Sequence, residues 1–155
     1  MNTDKIKSAI QDLINRLQDA EKGYKEIIKA SSNTLVNKWL DDYATERHQM
    51  HFVLEEEMKK LGGEPEVKTT FLGELHRIFI DIKINATSKP NEFTVIVDEI
   101  ERGASKLIED YKKVIHEIEM SPGLQKILVG QKLIIEKELQ TLIELREELL
   151  SLGID

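Results

Sequence analysis

The sequence predicts an all-α fold: an antiparallel four-helix bundle. Two helical hairpins are joined by a long crossover that contains a short extra helix. Three observations predict it. Apolar residues recur in steps of three and four along four long segments. Pro65, Pro90 and Pro122 fall at segment boundaries, never inside. No stretch alternates apolar and polar residues for long enough to compete as a strand.

The first segment runs from about Asp4 to Ala30. Ile6, Ile10, Leu13, Ile14, Leu17, Tyr24, Ile27 and Ile28 make one stripe along it. Ser31-Ser32-Asn33 stops it and offers caps for the next helix. The second runs from about Asn33 to Leu61. Its stripe is Val36, Trp39, Leu40, Tyr43, Met50, Val53, Leu54, Met58 and Leu61. Gly62-Gly63 ends it, because glycine accepts the left-handed cap conformation.

Glu64 to Thr69 is a polar connection. Phe71, Leu72, Leu75, Ile78, Phe79 and Ile82 then repeat at helical spacing, which predicts a short crossover helix ending near Asn85. Pro90 suits the start of the next long segment, which reaches about Glu119. Phe93, Ile96, Val97, Ile100, Ala104, Leu107, Ile108, Tyr111, Ile115 and Ile118 are its stripe. Ser121 caps the last helix, with Pro122 at its first position. That helix extends to about Leu152 through Leu124, Leu128, Ile135, Leu142, Leu145 and Leu149. Tight turns join the first and second helices and the last two, which makes each pair antiparallel neighbours. At ~1.5 Å per residue, the long helices span roughly 40–45 Å.

Composition narrows the function classes. A chain of 155 residues fits one domain, 1–155, with a core large enough to need no disulfide or structural metal. It has no cysteine, which excludes a thiol nucleophile, a Cys-type zinc site and an iron–sulfur cluster. Lys and Arg number 22 against 29 Asp and Glu, a net charge of −7. That balance opposes nucleic acid and anionic membranes as partners. No signal-peptide pattern or membrane-length apolar run is present, and a cytoplasmic location is expected.

Polar residues that interrupt the stripes are the candidate functional positions. Glu21 sits on the first stripe. Glu46 and Arg47 fill the step between Tyr43 and Met50. Glu101 flanks the stripe of the fourth segment. Gln131 and Glu138 replace apolar residues in the last. Counted from the turns, Glu21 and Glu46 lie within about a helical turn of each other, and Glu138 lies level with Ala104. Facing carboxylates at mid-bundle are the geometry of a carboxylate-bridged metal pair, because buried anions need a cation. Arg47 can be that cation instead, through a bidentate ion pair. The Glu-x-x-His signature of di-metal bundles is missing before all four histidines, His48, His51, His76 and His116. His48, His51 and Glu55 form an i, i+3, i+7 row, spaced to hold zinc. The helical wheel nevertheless turns His48 away from the stripe and leaves His51 at its edge, a solvated face. No phosphate-binding glycine loop and no nucleophile elbow occur.

Taken in order, several short motifs resemble the ferritin-like superfamily. They are Glu21-Lys22-Gly23-Tyr24, Glu46-Arg47, Leu61-Gly62-Gly63-Glu64-Pro65, Gly73-x-x-His76-Arg77, and Glu101-Arg102-Gly103 followed by Tyr111. Within that superfamily the chain is similar to a bacterial family of uncharacterised four-helix-bundle proteins, defined as a domain of unknown function. The resemblance implies the bundle but no known activity. Ferritin-like relatives surround a di-iron centre with carboxylates, and Glu21 and Glu46 carry over. This chain has Ala104 where another Glu is common, and Glu138 or Leu139 where a late His is expected. The resulting expectation is a soluble, non-enzymatic bundle that acts through protein association, in a stress response, with self-association as a dimer or larger and no cofactor. The alternative is a divergent di-iron or di-manganese carboxylate protein with oxidase or metal-binding activity, using Glu21, Glu46, Glu101 and Glu138 with His51 as nitrogen ligand. A third reading is a zinc site at His48, His51 and Glu55 that bridges subunits.

Overall fold

A computed structural model describes residues 1–66 and 92–153. They form four helices and, among the described residues, no strand: α1 Thr3–Ala30, α2 Thr34–Lys60, α3 Glu92–Glu117 and α4 Pro122–Ser151. The fold is all-α, as the apolar periodicity predicts. The expected crossover helix near 71–85 lies outside the described residues. No helix among the described residues is long and apolar enough to cross a membrane.

The helix ends follow the local chemistry. Asn2, Asn33 and Ser121 cap α1, α2 and α4, each accepting from the backbone N–H three residues on. At the end of α2, Gly62 N–H donates to the Lys59 carbonyl and Gly63 N–H to the Met58 carbonyl. This Schellman pattern requires the positive φ of +79° that Gly62 adopts. Gly63 is pressed against Met58, where a Cβ would lie 2.6 Å from Sδ. Beyond it, the Gln11 side chain both donates to and accepts from the Glu66 backbone at 2.8 Å, tying the connection to α1.

Helix α1 packs on α2, α3 on α4, and α1 also lies against α3. Contacts between α1 and α2 run in opposite senses along the two helices: Tyr24 meets Tyr43, Glu21 meets His51, and Gln18 meets Glu55. The stripes supply the core with few departures. Val53 and Leu152, both placed on stripes by spacing, are exposed instead.

The core divides into two apolar clusters, and every helix contributes to both. Each helix crosses from one to the other over a few residues: between Leu17 and Tyr24, Ala44 and Met50, Ile100 and Ala104, and Leu139 and Leu142. A polar layer occupies part of that boundary. Its centre is Arg47, only 1% exposed. Arg47 Nη2 donates to Glu138 Oε2 at 2.8 Å, and the guanidinium lies 5.8 Å from the Tyr24 ring centroid. Burial alone would favour loss of its proton, but Tyr24 and Glu138 outweigh that and raise its pKa. The Glu138 carboxyl is pushed up to about 8, first by burial and then by its hydrogen bond with Glu46, against the pull of Arg47. Nearby, Tyr111 Oη donates to Gln131 Oε1 at 2.7 Å, and Gln131 Nε2 donates to the Met50 carbonyl at 3.2 Å, linking α3, α4 and α2.

The two ends of the ion pair are not equivalent. Arg47 cannot shed its proton, whereas Glu138 can keep one. Glu138→Leu therefore strands a buried cation and is expected to cost roughly 3–5 kcal/mol, with Arg47→Met costing less and the double variant recovering most of the loss. Urea unfolding of the three variants checks the ranking. The same carboxyl sets a pH dependence. Its folded pKa lies above the ordinary value of 4.5, so the folded state binds more protons between about pH 4.5 and 8. Stability from this group is complete below that window and falls as pH rises through it. Urea midpoints at pH 5 and pH 8 should differ more for wild type than for Glu138→Gln.

Candidate metal centre

On the side of the polar layer where α1 meets α2, one carboxylate and two imidazoles converge. Glu21 projects from α1, and His48 and His51 project from α2 one turn apart. Glu21 Oε1 lies 2.8 Å from His51 Nε2 and 3.2 Å from His48 Nδ1. Its other oxygen, Oε2, accepts from Lys25 Nζ at 2.8 Å. The imidazole rings meet edge to face, 4.8 Å apart at 76°. His51 is buried, while the His48 side chain is 60% exposed and closes the cluster on its solvent side. On the far side of His51, Nδ1 lies 3.2 Å from Glu55 Oε1, which also accepts from Gln18 Nε2 at 3.3 Å.

The charges around Glu21 oppose its burial. Burial acts to raise its pKa, but hydrogen bonds from Lys25, His51 and His48 prevail and hold it at about 2. Glu21 is therefore a carboxylate at any ordinary pH, with one oxygen turned to the two rings. A carboxylate accepts and does not donate, so a donor hydrogen or a cation must lie between Glu21 Oε1 and His51 Nε2. A proton on Nε2 can fill that place, and so can a metal ion. One ligand atom from each of Glu21, His48 and His51 can be chosen so that all lie within 4.8 Å of one another. Ligands of one tetrahedral zinc stand about 3.4 Å apart, so small side-chain rotations would close the set.

The five carboxylate and histidine positions singled out as metal ligands divide among three places. Glu21 and His51 come together at the α1–α2 seam. Glu46 and Glu138 sit beside Arg47. Glu101 lies near the rim, 38% exposed, where Arg146 Nη1 donates to it at 2.7 Å and to Asp98 at 2.6 Å. The spacing of His48, His51 and Glu55 was legible, but the solvated face assigned to it was not the outcome for two of the three. His51 is buried and Glu55 partly so, because α1 covers that edge of α2; only His48 is exposed. Gln18 carried no signal, since one polar residue beside Leu17 reads as the edge of a stripe.

Fold and cluster together define an all-α protein with a histidine–carboxylate constellation between its first two helices. Residues 5–117 match the family model described as Domain of unknown function (DUF2383), and the chain belongs to that family. No curated protein and no solved structure matches it.

Proposed function

We propose that this protein is a ferritin-like, antiparallel helical bundle that binds a single divalent transition-metal ion at Glu21, His48 and His51. The observation that carries the reading is the convergence of one ionised carboxylate and two imidazoles on one point between α1 and α2. The opposed order of contacts along α1 and α2 supports the antiparallel arrangement. Two nitrogens and one oxygen favour zinc, ferrous iron or cobalt over calcium and magnesium, which prefer oxygen alone. Lys25 engages Glu21 Oε2, which favours binding through Oε1 only.

A single ion is favoured over the di-metal pair of ferritin-like relatives on the evidence of the polar layer. Arg47 already engages Glu138, with Glu46 beside them, so these two carboxyl groups meet a cation that the chain itself supplies. After loading with Zn(II) or anaerobic Fe(II) and desalting, wild type should retain about one ion per chain by elemental analysis. Glu21→Ala and His51→Ala should retain none. Equal retention by wild type and Glu21→Ala would overturn the assignment, and about two ions per chain would favour the di-metal alternative.

Association with a second copy is the second reading. It draws on large apolar side chains left exposed on α2 and α4, among them Phe52 and Leu133. Sedimentation analysis over a hundredfold concentration range should show a dimer or larger species that Phe52→Glu weakens.

A further inference from the structure

We propose that Glu55, held by Gln18, is the positioning residue of this centre: it fixes the His51 ring so that Nε2 faces the ion. The proposal rests on the metal reading of Glu21, His48 and His51.

Glu55 Oε1 stands 3.2 Å from His51 Nδ1, and Glu21 Oε1 stands 2.8 Å from His51 Nε2. The ring is thus clamped between carboxylates at both nitrogens. When Nδ1 keeps its proton and donates it to Glu55, the Nε2 lone pair is free for a metal on the Glu21 side. Without an acceptor at Nδ1, the ring can take the other tautomer or turn over, and Nε2 is no longer presented. His51 and Glu55 are four residues apart on one face of α2, so the helix itself brings them together.

Gln18 supplies the second half of the device, from α1. It is 6% exposed, a burial that costs free energy unless the amide is bonded. Its Nε2 donates to the same Glu55 oxygen at 3.3 Å, while its own Oε1 accepts no hydrogen bond among the described residues. A buried amide that leaves its acceptor unused is placed for its donor. Its work is to hold the Glu55 carboxylate against the ring. The positioning contact therefore joins the same two helices that the ligands join, one turn further along.

The test is Zn(II) titration calorimetry on the full chain, with the visible spectrum of the Co(II) form as a report on the ligand set. Loss of an orienting partner of a metal-bound histidine typically costs 10–100-fold in affinity. Glu55→Ala should show a loss of that size and an altered Co(II) spectrum, with helix content unchanged. Glu55→Gln keeps an acceptor oxygen and should lose less. Gln18→Leu suits a buried helical position, removes only the hold on Glu55, and should weaken binding in the same direction; it decides the matter if Glu55→Ala does not fold. Wild-type affinity in both Glu55→Ala and Gln18→Leu would overturn the proposal and leave the metal assignment standing. A Glu55→Gln loss as large as that of Glu55→Ala would make Glu55 a ligand, and would also overturn it. Absence of zinc uptake by wild type would overturn the assignment and the proposal together.

Discussion

The buried charge of Arg47 constrains everything around it. A guanidinium cannot be neutralised by losing its proton, so a core that encloses one must bring it hydrogen-bond acceptors and electron-rich groups. Glu138 comes from α4 and Tyr24 from α1 to meet it. Three helices are thereby held at one level. The two apolar clusters lie on either side of that level, and sliding α1, α2 or α4 would part Arg47 from Tyr24 or Glu138. Apolar stripes alone specify that helices pack. A buried polar contact of this kind discriminates between registers, because a shifted register leaves the charge unpartnered.

The layer also explains why the acidic residues on the stripes do not form one centre. Arg47 engages Glu138 on the side toward α4, and Glu46 joins that pair. Glu21 is left on the other side of α2, facing His48, the residue after Arg47, and His51 one turn beyond. Adjacent residues on a helix point about 100° apart, so Arg47 and His48 serve different seams of the same layer. One seam has its cation built into the chain. The other offers imidazoles, whose nitrogens can carry a proton or coordinate an ion.

What was legible in the sequence divides along the same line. Helix existence, order and caps came from periodicity and turn residues, because those are local properties: Asn33, Ser121 and Gly62 act within a few residues of themselves. The special status of Glu21, Arg47 and Glu138 was legible too, since charges on an apolar stripe are conspicuous, and so was Arg47 as a cation for a buried carboxyl. The partners of Glu21 were not. A helical wheel gives a residue's angle about its own axis, but not which neighbour covers that angle. His51 at the edge of a stripe is solvated on an isolated helix and buried once α1 lies against it. Register counted from the turns placed Glu21 near Glu46, yet such counting is good to about one turn, and one turn separates Glu46 from the His48–His51 pair.

That single turn changes the chemistry. Two facing carboxylates in a core demand a cation and accept whichever is at hand, including an arginine. A carboxylate facing two imidazoles is a more selective arrangement, because each neutral ring offers one lone pair in a fixed direction, and that direction depends on what the opposite nitrogen bonds. Lys25 withdraws one oxygen of Glu21 from the cluster, and Glu55 occupies the outer nitrogen of His51. Each contact removes an alternative: a bidentate carboxylate in the first case, the wrong tautomer in the second. The remaining freedom lies with His48, which is exposed and meets Glu21 from the solvent side. One ring is buried and held from both sides, and the other stands at the surface. An ion bound as proposed would meet His48 first, from solvent, and then Glu21 and His51, which the packing of α1 on α2 already brings together.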